Sequence, residues 1–116
     1  GQREQLLLFA RDIAEVLGGV AELMAVVRAA AETDPDMAGL YRGLHDGRRR
    51  NLGFVASALL ARGPLRDGMD EAEATAILWR LASPELFVLL KQVEGLDVDG
   101  YAHWLAKVLQ AAMLEP

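Results

Sequence analysis

Few side chains in these 116 residues have the type and spacing that chemistry demands. His45 and His103 stand far apart and the chain has no cysteine, so a zinc site lacks its ligands and no disulfide can form. Ser57 and Ser83 are the only serines, and neither sits in a G-x-S-x-G elbow. There is no Walker loop and no G-x-G-x-x-G fingerprint. Carboxylates are plentiful, but they gather at helix starts and along polar strips, where they compensate helix dipoles. No catalytic group, metal or cofactor is therefore expected, and the chain reads as a non-enzyme. One side chain stands out. On a helical wheel Met37, Tyr41, Leu44, Leu52, Val55 and Leu59 form an apolar stripe with Arg48 at its centre and Asn51 at its edge. A guanidinium in that position is costly unless a carboxylate, backbone carbonyls, a snorkelling stem or a ligand anion satisfies it. Its neighbours Arg49 and Arg50 project elsewhere, and the three-arginine run reads as a solvated face.

Composition narrows the partners. Seventeen acidic against twelve basic side chains give a formal charge of −5, the wrong sign for a nucleic-acid surface. The length fits a single domain, residues 1–116, large enough to bury a core without staples. An apolar fraction of 53% and a mean hydropathy of +0.16 are high for such a small domain, so part of that surface is expected to meet another chain. Apolar runs are broken by charge, Gly or Pro well before the length of a membrane span, so no membrane partner is expected. The start, Gly1-Gln2-Arg3-Glu4, has no initiator Met and no signal pattern, and reads as the beginning of a fragment. The lack of cysteine fits the reducing cytoplasm.

The elements that must position these residues are all helices. Nineteen Ala and twenty Leu face thirteen β-branched residues, and no alternating strand pattern occurs. Asp34-Pro35 offers an N-cap and a proline for a first turn, and Asp70 with Glu73 has capping-box spacing. Gly63-Pro64 and Gly95 are stops, and Asp97 can cap the last helix. Helices are thus predicted at about 2–33, 35–62, 70–94 and 98–114, in an antiparallel all-α bundle of four to five helices, because the glycines at 39, 43, 47 and 53 weaken or divide the second. Those at 39, 43 and 47 share a face, which predicts a closely approaching neighbour helix or a hollow. The first helix is apolar around most of its circumference and is expected to be central, bent or closely approached at Gly18-Gly19.

Toward the C-terminus the period changes. Ala72, Ala76, Trp79, Ser83, Leu86, Leu90 and Val93 alternate spacings of four and three, and Val98, Tyr101, Leu105, Val108 and Ala112 do the same. Such stripes pack along near-parallel neighbours. Two of these helices from each of two subunits would make a four-helix bundle, with Trp79, Ser83, Leu86, Phe87, Leu90, Tyr101, Trp104, Leu105, Val108 and Ala112 at the homodimer interface.

The run from Ala74 to Leu109, with Leu78-Trp79, Ser83-Pro84-Glu85-Leu86, Leu89-Leu90, Gly95, Tyr101 and Trp104-Leu105, resembles the C-terminal end of tetracycline-repressor (TetR) family transcription regulators of the AcrR-like type. Ala29-Ala30-Ala31, Asp34-Pro35 and the Arg48-Arg49-Arg50 helix ending near Leu60-Ala61-Arg62-Gly63 are similar to the regulatory core of that family. Leu96 stands where relatives often have Trp, and Asp97-Val98 replaces a Ser-Pro cap. The resemblance implies a cytoplasmic, homodimeric, ligand-sensing domain of a transcriptional repressor, whose DNA contact is made only through a helix-turn-helix domain missing from this chain. The first two helices would line the sensor pocket. Phe9, Ile13, Leu17, Met24, Leu44 and Val55 would supply apolar wall, and Tyr41, His45, Arg48 and Asn51 polarity. The expected ligand is small and mostly hydrophobic, with an anionic or carbonyl end opposite Arg48. The alternative is a structural homodimerisation module with a filled core and no ligand; a cavity of roughly 300 Å³ or more between the first two helices separates the two.

Overall fold

Each helix after the first begins where the sequence supplies an oxygen to hold its first N–H groups. Asp34 accepts from the amides of Asp36 and Met37 at 2.9 and 3.4 Å, Asp70 from Glu73 at 2.8 Å, Ser83 from Leu86 at 3.1 Å and Asp97 from Gly100 at 2.7 Å. Each such cap contributes about 1 kcal/mol. The computed structural model describes residues 1–116 as five α-helices: α1 (Gln2–Ala31), α2 (Pro35–Leu60), α3 (Glu71–Leu81), α4 (Pro84–Leu89) and α5 (Val98–Met113). A 3₁₀ turn at Arg66–Gly68 leads into α3, and a π-helical turn at Leu90–Glu94 continues α4 until Gly95, at φ 77°, ends it in the left-handed region. No helix is long and apolar enough to cross a membrane.

The all-helical class holds, but the helix predicted over 70–94 is divided. Pro84 has no N–H to donate and its ring would strike a carbonyl of the preceding turn, so α3 stops at Leu81 and Ser83 caps a new helix. The apolar stripe from Ala72 to Val93 therefore lies on two differently directed helices. Trp79 and Ser83 leave the predicted dimer face: Ser83 is spent as a cap, and Trp79 packs edge-on to His45 with the Arg49 guanidinium over its ring. The glycines of α2 do not divide it; the helix is unbroken to Leu60, and Gly39 and Gly43 face open space with no neighbouring helix against them.

α1 packs against α2, α4 and α5. Its buried residues, Leu6, Ala10, Ala14, Leu17, Ala21, Met24 and Val27, recur every three or four positions and make a single stripe. The helix is central, as expected, but it is not buried around its circumference, because Leu7, Leu8, Val16, Val20, Leu23 and Val26 are all exposed. The core under α1 comes from Leu52, Ala56 and Leu59 of α2, Ala74 and Leu78 of α3, Phe87 of α4, and Tyr101, Leu105, Leu109 and Met113 of α5. Phe87, Tyr101 and Leu105, predicted at the dimer interface, are thus consumed inside the chain at 2%, 1% and 0% exposure. Buried Tyr101 stacks edge-on to Phe87, and its hydroxyl donates to the Leu81 carbonyl at 2.8 Å, closing the end of α3. Burial raises the Tyr101 pKa, which keeps that hydroxyl a donor. Leu86, Leu90, Trp104, Val108 and Ala112 retain part of their surface.

Gly18 and Gly19 do not break α1, which is helical from Gln2 to Ala31. A methyl on Gly18 would sit 3.1 Å from Val98 Cγ2, so this glycine admits the start of α5, whereas Gly19 faces open space. Gly19→Ala should accordingly stabilise the domain by about 0.5–1 kcal/mol in urea denaturation, as an unhindered helical glycine allows. Gly18→Ala should gain less than Gly19→Ala, or lose stability, because Val98 must give way.

Candidate functional site

α1 and α2 are antiparallel and enclose an apolar cleft of about 540 Å³. The α1 wall is Ile13, Val16, Leu17, Val20, Leu23, Met24 and Val27; the α2 wall is Leu40, Leu44, Arg48, Asn51 and Leu52. Two of these twelve are polar, and both lie on α2 one turn apart. The cleft opens to solvent along Val16 and Leu23, which are 54% and 66% exposed.

Six predicted pocket residues, Ile13, Leu17, Met24, Leu44, Arg48 and Asn51, are brought together in this cleft. Four are not. Phe9 and Val55 pack against the hydrophobic core, lower down the same two helices. Tyr41 and His45 line an adjoining polar depression instead, which they share with Arg28, Arg42, Asp46, Trp79, Arg80, Ser83 and Glu85. Val16, Val20, Leu23 and Val27 were available to sequence reasoning: they repeat at four, three and four, an apolar row that runs beside the buried stripe and joins it at Val27. Leu40 sits one turn before Leu44 and was equally legible.

Arg48 is held from two sides. Its Nη2 donates to the Ala82 carbonyl at 2.6 Å, just past the end of α3, and its Nη1 donates to His45 Nδ1 at 3.1 Å. A guanidinium has no acceptor, so Nδ1 must be the unprotonated nitrogen. The proton then lies on Nε2, which donates to Glu85 Oε2 at 2.8 Å. The Tyr41 hydroxyl donates to the same carboxylate oxygen. Three side chains at successive turns of α2 thereby grip the α3–α4 junction: Tyr41 and His45 through Glu85, and Arg48 through Ala82. Of the partners open to Arg48, a backbone carbonyl is met directly and a carboxylate stands one imidazole away. Burial lowers the Arg48 pKa, with the Glu85 charge acting in the opposite sense. Tyr41 is pushed up to about 12 by burial and by the hydrogen bond to Glu85.

Burial by itself would raise the Glu85 pKa, but the hydrogen bonds from Tyr41 and His45 outweigh it and hold the carboxyl below its ordinary value of 4.5. Trp79 closes this side, its ring 5.4 Å from that of His45, and its buried indole N–H has no acceptor. No group of three or more His, Asp or Glu side chains converges as a metal site.

Comparison of the chain with protein-family models, with characterised proteins and with solved structures returns no match.

Because Glu85 ionises more readily in the fold than in the unfolded chain, its charge stabilises the domain above pH 4.5, and that contribution disappears as pH falls below 4.5 through the folded value. Glu85→Gln should therefore melt at a lower temperature than the parent at neutral pH, and the gap should narrow on acidification through this range. Melting curves by circular dichroism across pH check it; a gap that does not change with pH would show that the carboxylate charge is not favoured in the fold.

Proposed function

We propose that the chain is the ligand-sensing and homodimerisation domain of a TetR-family-like transcriptional repressor working in the cytoplasm. A small, mostly hydrophobic molecule enters the α1–α2 cleft, and the dimer shifts so that DNA-binding heads outside these residues release their operator. The observation that carries the sensing half is the cleft itself. At about 540 Å³, with ten apolar side chains and two polar ones, it has the size and lining of a small-molecule site and exceeds what a filled-core module would leave. The α2 clamp supports the switching half, since Arg48 borders the cleft and reaches the start of α4 through Ala82 and His45.

Dimerisation is supported by apolar surface around α4 and α5. Leu89 of α4 and Val93 of the π-helical turn are 53% and 74% exposed, and Leu86 and Leu90 on the same stretch, with Trp104 and Val108 of α5, are only partly buried. An apolar face of this kind is costly in water unless a partner covers it.

Native mass spectrometry of the chain should report a dimer, and Leu89→Glu with Val93→Glu should report a folded monomer, because both positions are exposed and tolerate charge within one subunit. A dimer that survives both substitutions would move the interface elsewhere. A cleft-filling change, Val20→Trp, should leave the dimer intact while abolishing retention of hydrophobic probes such as a naphthalene sulfonate dye, read by dye fluorescence. Unchanged dye binding in that variant would place the binding surface outside the cleft.

A further inference from the structure

The cleft has one chemically distinct end. Arg48 and Asn51 are three residues apart on α2 and therefore neighbours on one helical face, and every other lining side chain is apolar. Of the five N–H groups on a guanidinium, Arg48 uses one on His45 and one on Ala82; the Nε–H and one hydrogen on each Nη remain unspent. No carboxylate lies within ion-pairing distance of Arg48, the one close approach of a basic ring to a carboxylate being His45 to Glu85. The Asn51 side chain forms no hydrogen bond within the chain, although it borders the cleft. The adjoining depression is lined by Arg28, Arg42 and Arg80 with Glu85 and Asp46, three cations to two carboxylates in a protein whose formal charge is −5.

Resting on the sensor reading of this cleft, we infer that its ligand class is a single-headed anionic amphiphile: an aliphatic or aryl body along Val16, Val20, Leu23 and Leu40, and a carboxylate accepting from Arg48 and the Asn51 amide. The apolar walls give a neutral molecule and an acid the same burial. The head decides between them. A carboxylate gains charge-assisted hydrogen bonds from a guanidinium already partly desolvated, an alcohol gains at most one weaker bond, and an ammonium meets like charge. The class therefore excludes lipophilic cations, which the apolar lining alone would admit. Arg48 is shared between this head and the α3–α4 junction, so engagement of the head bears on the contact that fixes Ala82.

Matched probes of equal chain length separate these chemistries. Isothermal titration of the protein at neutral pH with octanoate, octan-1-ol and octylammonium should give at least about tenfold tighter binding for octanoate than for the alcohol, with the ammonium weakest. In Arg48→Gln the octanoate advantage should fall to within about twofold of the alcohol. Arg48→Lys should keep part of the advantage. Asn51→Leu, at an exposed position that does not threaten the fold, should lower octanoate affinity several-fold and octan-1-ol affinity by less. Equal binding of acid and alcohol, or an acid preference that persists in both Arg48→Gln and Asn51→Leu, overturns the inference while leaving a neutral-ligand sensor standing. Failure of all three probes to bind overturns the inference together with the sensor reading.

Discussion

The domain is organised around the cost of placing a guanidinium on an apolar helix face. Arg48 projects from the middle of α2 between a hydrophobic cleft and the hydrophobic core, and a charge so placed must find partners or leave. It finds them across the chain in the Ala82 carbonyl and, through the neutral ring of His45, in Glu85. Those partners occur where α3 breaks and α4 begins, so satisfying the charge also fixes the angle between two short helices that share little direct packing. Phe87 and Tyr101 then complete the corner from the core side, the Tyr101 hydroxyl taking the Leu81 carbonyl that the broken helix leaves free. Both carbonyls at the end of α3 are paired by side chains from other helices, which is how a sharp break is kept dry.

Much of this was legible in the sequence because it depends on local chemistry. Asp34, Asp70 and Asp97 were readable as caps, and Gly95 as a stop, since each acts within a turn of itself. The break at Ser83-Pro84 was masked by periodicity: the four-three alternation runs through the proline without a missed beat, and an apolar period carries no record of a change in direction. The single-face burial of α1 was hidden differently. A helix apolar on two faces has the same composition whether its second face meets the protein, a ligand or water, and only packing decides.

Half of the cleft was likewise readable, and the remainder obeys a rule. Wheel geometry finds which residues share a face but not how far along the helices two faces stay in contact. Phe9 and Val55 lie on the correct faces yet at the end where α1 and α2 close on the core, whereas Val16, Val20, Leu23 and Leu40 lie where the space between the helices is open. Tyr41 and His45 were misplaced because their partner, Glu85, is about forty residues away and invisible to any local pattern.

The clamp also bounds how strongly the cleft can influence the rest of the domain. A ligand moves an equilibrium only by its differential affinity for the two arrangements. If it acts by drawing Arg48 from Ala82 or His45, the available coupling is the strength of one or two charge-assisted hydrogen bonds, about 1.5–3 kcal/mol each before the new bonds to the ligand are counted. The net is a difference between similar bonds, which falls within the roughly 1–3 kcal/mol typical of allosteric coupling. A ligand that filled only the apolar wall, touching neither Arg48 nor Asn51, would have to act by some route other than this clamp. Under the proposed sensing role, Arg48 is the cleft residue through which occupancy would reach the start of α4, because it alone among the lining side chains is bonded to Ala82.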